Sequence, residues 1–272
     1  MATSGAAPVE VTHIPWRATK ALIADALAAA GLPAADAARC AELMSEADLT
    51  GADGHGIFRL PQSNANHMAA WGGVDLLLGT NPLAIAVPTG EKPLVFDMAT
   101  SIVAYGTVKK YALRGLRMPQ GWFVDAATGE SITDPAKSAA GVLQPTGEYK
   151  GSGLALMIGL IAGVLNGAAF GRDVIDFNAD DGSATNTGHC IVAVDIARFV
   201  PLKAFTAEVD RHMRDLRDSR LLPGFDAIRL PGERRATCRD ERTRDGVPVP
   251  APLLAQLDKL AAELQIKPLR AR

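Results

Sequence analysis

Apolar positions recur every three to four residues over 17–30, placing Leu22, Ile23, Ala26, Leu27 and Ala30 on one face. That spacing predicts an amphipathic helix, and Gly31 stands where such a helix ends. A second helix is predicted from about Ala34 to about Asp48, with Leu49-Thr50-Gly51 leading out of it. The period then changes. Leu83-Ala84-Ile85-Ala86-Val87, stopped by Pro88, and Leu94-Val95-Phe96, running into Asp97, are short unbroken apolar runs of the kind that form buried strands. A mixed helix is expected from about Thr100 to Arg114, and the Gly, Pro, Asp and Thr of 115–149 read as turns. After a polar loop over 172–188, the pattern predicts a strand from Cys190 to Val194, a charged helix over about 202–218 and a last helix near 251–264. The first dozen residues read as a loose tail. Helices alternating with short apolar strands favour an α/β or α+β fold.

Gly151–Gly171 is uncharged and long enough to test as a membrane span. It contains six glycines and Asn166 and has no second span to accompany it, which favours a buried helix. Gly159, Gly163 and Gly167 recur every four residues, a stripe that lets a helix lie close to its neighbour.

Composition narrows the function classes. The 272 residues carry a net charge of −2 with dispersed basic residues and 5% aromatics, which argues against nucleic-acid binding. At 48% hydrophobic, the chain has enough apolar sequence for a sizeable core. Cys40, Cys190 and Cys238 are odd in number and far apart, and no Cys/His pair has zinc spacing; a reducing, cytoplasmic setting and no metal are expected. The opening residues lack the basic and apolar regions of a signal peptide.

Four places have chemistry to offer. Gly54-His55-Gly56 sets an imidazole in a glycine-flanked loop, with Arg59 four residues on. Histidine exchanges protons near neutral pH, and arginine presents a planar fork that fits a carboxylate. The plain alternative is a turn histidine and a surface arginine. Tyr149-Lys150-Gly151-Ser152-Gly153 opens the uncharged run, where free helix N–H groups and a lysine would attract an anion, although a solvated lysine at a glycine-rich helix entry is an equal reading. No Rossmann or P-loop spacing is present. Asp97, at a strand end, either orients a histidine or caps the next helix. Arg229-Leu230-Pro231-Gly232-Glu233-Arg234-Arg235 gathers three arginines around a Pro-Gly turn, either a diphosphate clamp or a solvated face.

Taken together, Gly54-His55-Gly56-Ile57-Phe58-Arg59-Leu60-Pro61, Trp71-Gly72-Gly73, Gly79-Thr80-Asn81-Pro82, Phe96-Asp97-Met98-Ala99-Thr100-Ser101, Lys150-Gly151-Ser152-Gly153 and Arg229-Leu230-Pro231-Gly232 resemble the malate/L-lactate dehydrogenase family, which is unrelated to the Rossmann lactate dehydrogenases. The pieces occur in family order and cover nearly the whole chain. The resemblance implies an α/β fold of a family-specific, non-Rossmann kind, a sheet flanked by helices with the N- and C-terminal helical segments packing together. It implies an N-terminal helical segment with the His55 loop (1–62), a cofactor and substrate core (63–200) and a C-terminal helical segment (201–272). It implies NAD or NADP as cofactor, a 2-oxo or 2-hydroxy acid as substrate, and a homodimer. His55 would be the proton donor, assisted by Asp97, with Arg59 on the substrate carboxylate. Thr80, Asn81, Phe96, Met98, Ala99, Tyr149, Lys150, Gly232, Glu233 and Arg234 match segments that contact the cofactor.

The chain departs from the family in two ways. Gly54 stands where the family usually has serine, so a hydroxyl relay to His55 is lost. The stretch between Pro61 and Trp71 is also short, by roughly eighty residues against family members. Asn64-Ala65-Asn66-His67 therefore has two readings: what is left of a second histidine motif, or a later strand in which His67 is incidental. The shortening keeps a second class of function open, a family-derived binding or structural protein without turnover. A cyclic imine reductase of the same family is a third.

Overall fold

The computed structural model describes residues 10–51, 66–175, 183 and 186–272. His55 and Arg59 lie outside the described residues. In chain order the elements are β1 (Val11–Ile14), α1 (Trp16–Ala29), α2 (Ala34–Leu49), β2 (Leu83–Val87), β3 (Leu94–Met98), α3 (Tyr105–Leu113), β4 (Phe123–Asp125), β5 (Gly141–Leu143), α4 (Tyr149–Ala162), α5 (Leu202–Arg217), α6 (Glu233–Asp245), β6 (Val247–Pro250) and α7 (Ala251–Glu263). The strands form three antiparallel pairs, β1 with β6, β2 with β3 and β4 with β5. The mixed α/β class expected from the alternation is observed.

Two apolar cores organise these elements. In the first, Ile14, Leu22, Ile23 and Ala41 from the start of the chain pack with Val249, Leu254, Leu257 and Leu269 from its end. Leu22 and Ile23 are the positions on which the helical period converges, and they are the buried face of α1. The N- and C-terminal segments thus pack together, as expected. The loose tail expected over the first dozen residues took in Val11 and Thr12, yet these open a strand, β1. Its partner lies more than 230 residues away, with Ile14 opposite Val247, so no local pattern announces it. Gly246 makes the junction possible: its φ is +94°, and a Cβ there would sit 2.9 Å from the Ile14 carbonyl oxygen. The second core gathers Met68, Leu78, Val108, Met118, Phe123, Leu143 and Ala155.

Several expectations need correction. The helix expected from Thr100 begins only at Tyr105. The reason is that Thr100 donates both its N–H and its hydroxyl to the Thr80 carbonyl (2.8 and 2.9 Å), while Ser101 bridges to Pro145. Cys190–Val194 forms no ladder; Ile191 is 93% and Val192 78% exposed, because no strand edge among the described residues lies alongside to accept the run. Helix α6 was read only as a charged turn. It has no apolar period and is held by ion pairs instead, Arg217 to Glu233, Arg235 to Asp97 and Arg239 to Glu46.

Burial of the apolar runs also differs from expectation. Helix α4 is apolar all round but buries only Gly151, Ser152, Ala155 and Gly159, leaving Leu156, Met157 and Ile161 exposed. Ile85 and Phe96 of the β2–β3 hairpin are exposed too, and so are Ala84 and Ala86 on its other face, since a two-stranded ribbon does not bury its own residues. The glycine stripe acts at Gly159, where the Phe170 ring and the Asn81 amide leave no room for a side chain, and at Gly163, which lies against the Ala169 carbonyl. At Gly167 it marks a left-handed turn.

Candidate cofactor and substrate site

The site is assembled around the end of β3. Beyond Met98 the chain turns through Ala99 to Thr100, whose two hydrogen bonds to Thr80 fix the 80–81 loop beside it. Thr146 N–H then donates to the Thr100 carbonyl at 2.9 Å, tying in the turn that precedes α4. That turn is tight: Gly147 and Glu148 both have φ of +59°. Gly151 is obligatory in the first turn of α4, because a Cβ would fall within the van der Waals envelope of the Thr146 carbonyl oxygen and 2.8 Å from Thr146 N. Asn81 closes the ring, its amide donating to the Ala155 carbonyl of α4 at 2.8 Å. The Ser152 hydroxyl accepts the Trp71 N–H at 2.9 Å. These bonds tie the 80–81 loop, the end of β3 and the first turns of α4, which carries Tyr149 and Lys150, to one another. Tyr149 and Lys150 are both exposed.

The Pro-Gly turn joins these segments from far along the chain. Gly232, with φ +90°, rests on β3 so closely that a Cβ would lie 3.0 Å from the Val95 carbonyl oxygen. Arg235 Nη1 meets Asp97 Oδ2 at 2.5 Å across 138 residues of sequence. Glu233 braces the turn, accepting from the Leu230 N–H (2.8 Å) and from Arg217 Nε (2.7 Å). Burial pushes the Glu233 carboxyl upward, but the Leu230 N–H and the Arg217 guanidinium outweigh it and hold it below its ordinary value of 4.5. A depressed carboxyl contributes stability that is present above its unfolded value and lost as pH falls through the folded one. The brace is therefore intact at neutral pH and released in acid. Arg234, its neighbour in the same helical turn, points about 100° away and lines a cavity of about 320 Å³.

The alternative role for Asp97, capping the following helix, is not used; Ala104 occupies the cap position of α3. Asp97 is a half-exposed carboxylate held by Arg235, an arginine noted in the sequence only as one of three. His67 is stacked on Tyr105, ring centroids 4.3 Å apart and 7° from parallel, and its carbonyl accepts the Leu143 N–H. Met68, next to it, bridges to both Leu78 and Leu143. Met68 is thereby fixed in the second core by isolated bridges, with His67 packed beside it.

The sequence model of the malate/L-lactate dehydrogenase family matches residues 62–258. A malate dehydrogenase of Pyrococcus horikoshii is 30% identical over 220 residues, 78% of this chain and 60% of the relative. A (2R)-3-sulfolactate dehydrogenase (NADP(+)) of Chromohalobacter salexigens is 38% identical over 189 residues, 69% of this chain and 54% of the relative. A Delta(1)-pyrroline-2-carboxylate reductase of Ancylobacter novellus is 36% identical over 198 residues, 71% and 55% respectively. The sequence matches therefore span little more than half the length of these curated relatives. Among solved structures, the P. horikoshii malate dehydrogenase superposes with a TM-score of 0.82 at 21% identity, covering 98% of this chain and 100% of that one. The sulfolactate dehydrogenase of Methanocaldococcus jannaschii superposes with a TM-score of 0.79 at 25% identity, covering 96% and 99%.

Proposed function

Because this chain belongs to the malate/L-lactate dehydrogenase family, we propose that it is an NAD(P)-dependent oxidoreductase interconverting a 2-oxo acid and its 2-hydroxy acid. The observation that carries this reading is the docking of the Gly232–Arg235 turn on β3, which brings two distant cofactor-matching segments together around Asp97. The dinucleotide, when bound, supplies or accepts the hydride. Lys150, at the exposed edge of α4, holds its anionic part, with Tyr149 and the 232–234 turn on either side. Thr80, Asn81, Phe96, Met98 and Ala99 form the floor. His55 gives its proton to the substrate oxygen as negative charge builds there, and Arg59 holds the carboxylate. Arg235 is a positioning residue: it fixes Asp97 and clamps the cofactor turn to the strand. His67, stacked in the core, we read as a packing residue.

Absorbance of the reduced nicotinamide, followed against a panel of 2-oxo acids and cyclic imines, tests the proposal. Turnover with a 2-oxo acid supports it. Turnover with imines alone moves the chain to the second reading, which the pyrroline-carboxylate reductase among its relatives favours. Binding without turnover leaves a family-derived binding protein.

Lys150→Ala is expected to weaken dinucleotide binding by about 1–3 kcal/mol, the range for a hydrogen bond to a charged group. Equal affinity by calorimetry would return this lysine to the solvated surface. Arg235→Ala should shift stability by no more than about 1 kcal/mol, since the ion pair it removes is half exposed. It should nevertheless weaken cofactor binding, because the turn is released from β3, and Arg235→Lys should restore that binding only in part. Unchanged affinity in both variants would make the pair incidental.

The exposed Leu156, Met157 and Ile161 of α4, together with Ile191 and Val192, form an apolar surface that we assign to a homodimer contact. These side chains are exposed among the described residues. Among the described residues Tyr149–Asn166 is long and apolar enough to cross a membrane, but we assign it to this contact. Sedimentation across a dilution series should show a dimer; a stable monomer that binds no apolar dye would show the short connection to be a compact working variant. Three unpaired cysteines support a cytoplasmic setting.

A further inference from the structure

Helix α6 carries arginine at the spacing where a packed helix carries apolar residues. Arg235, Cys238, Arg239 and Arg242 follow one another at helical intervals, so they share one face. At the start of that face Arg235 meets Asp97, at the end of β3. The later turns meet a different part of the chain. Arg239 pairs with Glu46 of α2, and Arg242 Nη1 donates to the Asp48 carbonyl at 2.6 Å. Cys238 lies against Gly51, where an added Cβ would be 3.1 Å from its Sγ.

These contacts converge on the end of α2. The Asp48 carbonyl is one of the last four in that helix, for which no N–H of the helix itself remains. A guanidinium suits it, because the C-terminal end of a helix carries partial negative charge. Asp48 is 1% exposed, so water does not stand in for Arg242 there. Gly51, just past the helix, turns the chain with φ of +78°. His55 follows four positions on in the sequence.

Helix α6 thus acts as a strut, with Arg235 and Arg242 about 10 Å apart along its axis. One end holds the acid that ends β3; the other holds the stem from which the chain runs on to His55. We propose that this arginine face locks the stem to the strand, and that Arg239 and Arg242 are thereby positioning residues for the proton step. The proposal rests on the reading of His55 as proton donor and of β3 as part of the cofactor floor. A misplacement of about 1 Å costs about a hundredfold in rate, so a strut acts without touching substrate. Arg244 takes no part, being paired with its neighbour Asp245.

Single-turnover rates, dinucleotide titration and thiol counting on the full chain test the inference. Arg242→Ala should lower the single-turnover rate by about tenfold or more and leave dinucleotide affinity near the parent value, because Arg235 still clamps the cofactor turn. That split is the reverse of the one expected for Arg235→Ala. Arg239→Ala should act in the same direction as Arg242→Ala. Arg242→Lys keeps a donor for the Asp48 carbonyl and should recover part of the rate. Added to His55→Ala, Arg242→Ala should lower the rate no further, since both act on one step. A parent-like rate in Arg242→Ala, an undiminished fall in the His55→Ala background, or the same fall in Arg244→Ala overturns the inference. Thiol reactivity reads the lock without turnover. Cys40 and Cys190 are exposed and Cys238 is partly buried, so the parent should show two fast thiols and one slow, and Arg242→Ala three fast. Three fast thiols in the parent would also overturn it. A chain whose slow thiol is freed in the variant, yet which turns over neither 2-oxo acid nor imine, keeps the lock and loses the dehydrogenase reading.

Discussion

Replacing His55 by alanine is expected to lower turnover by about 10²- to 10⁴-fold while leaving dinucleotide affinity nearly unchanged. The imidazole is the one group in Gly54-His55-Gly56 whose unperturbed pKa is near neutrality, so it alone in that loop both holds and releases a proton at working pH. Its flanking glycines let the backbone approach a ligand closely. The family usually places a serine at position 54; with glycine there, no adjacent hydroxyl takes over when the imidazole is removed. Cofactor contacts are assigned to other segments, which is why the effect should fall on turnover and not on dinucleotide binding. Single-turnover rates and a cofactor titration on the same variant separate the two. A variant turning over near the parent rate would remove His55 from the proton step.

Gly151→Ala should be the most damaging single methyl added to α4. The new Cβ would overlap the Thr146 carbonyl oxygen and sit 2.8 Å from its nitrogen. Those are backbone atoms, and Thr146 cannot swing aside without breaking its 2.9 Å hydrogen bond to Thr100. Either α4 or the 145–148 turn must move, and overpacking of this kind costs about 1–3 kcal/mol. Because Tyr149 and Lys150 open α4 directly after that turn, dinucleotide affinity should fall with stability. Gly153, two residues on, is the control: a Cβ there meets nothing within 4 Å. Gly153→Ala should be neutral or stabilising by up to about 1 kcal/mol, as for glycine in a helix interior. Denaturant midpoints and cofactor titrations for the pair decide the matter. Equal stability in the two variants would mean that the Gly151 contact relaxes freely.

Elements with a strong local signature were legible without coordinates. Leu22 and Ile23 repeat on a helical period, and the hairpin runs 83–87 and 94–96 are unbroken and bounded, so α1, β2 and β3 follow from short-range chemistry. The order of the motifs from Gly54 to Gly232 was enough to indicate the family, because backbone demands such as that at Gly151 leave a residue-level mark. What stayed hidden depends on partners distant in sequence. β1 exists only because β6 lies beside it, and α6 has no apolar stripe because charges, not burial, hold it. Conversely, Cys190–Val194 has the composition of a strand and no edge among the described residues to join.

At the site the division is the same. Sequence by itself determined which residue types are present: an imidazole between glycines, an acid ending a strand, a lysine at a helix entry and arginines around a Pro-Gly turn. Only the tertiary structure decided that Arg235, and not Arg229 or Arg234, meets Asp97, and that Arg234 turns into a cavity with Arg114. Adjacent residues on a helix point about 100° apart, since 3.6 of them complete a turn, so which arginine faces the strand depends on how α6 docks. That docking is set by Gly232 lying against Val95, a contact between segments 137 positions apart that no local pattern encodes.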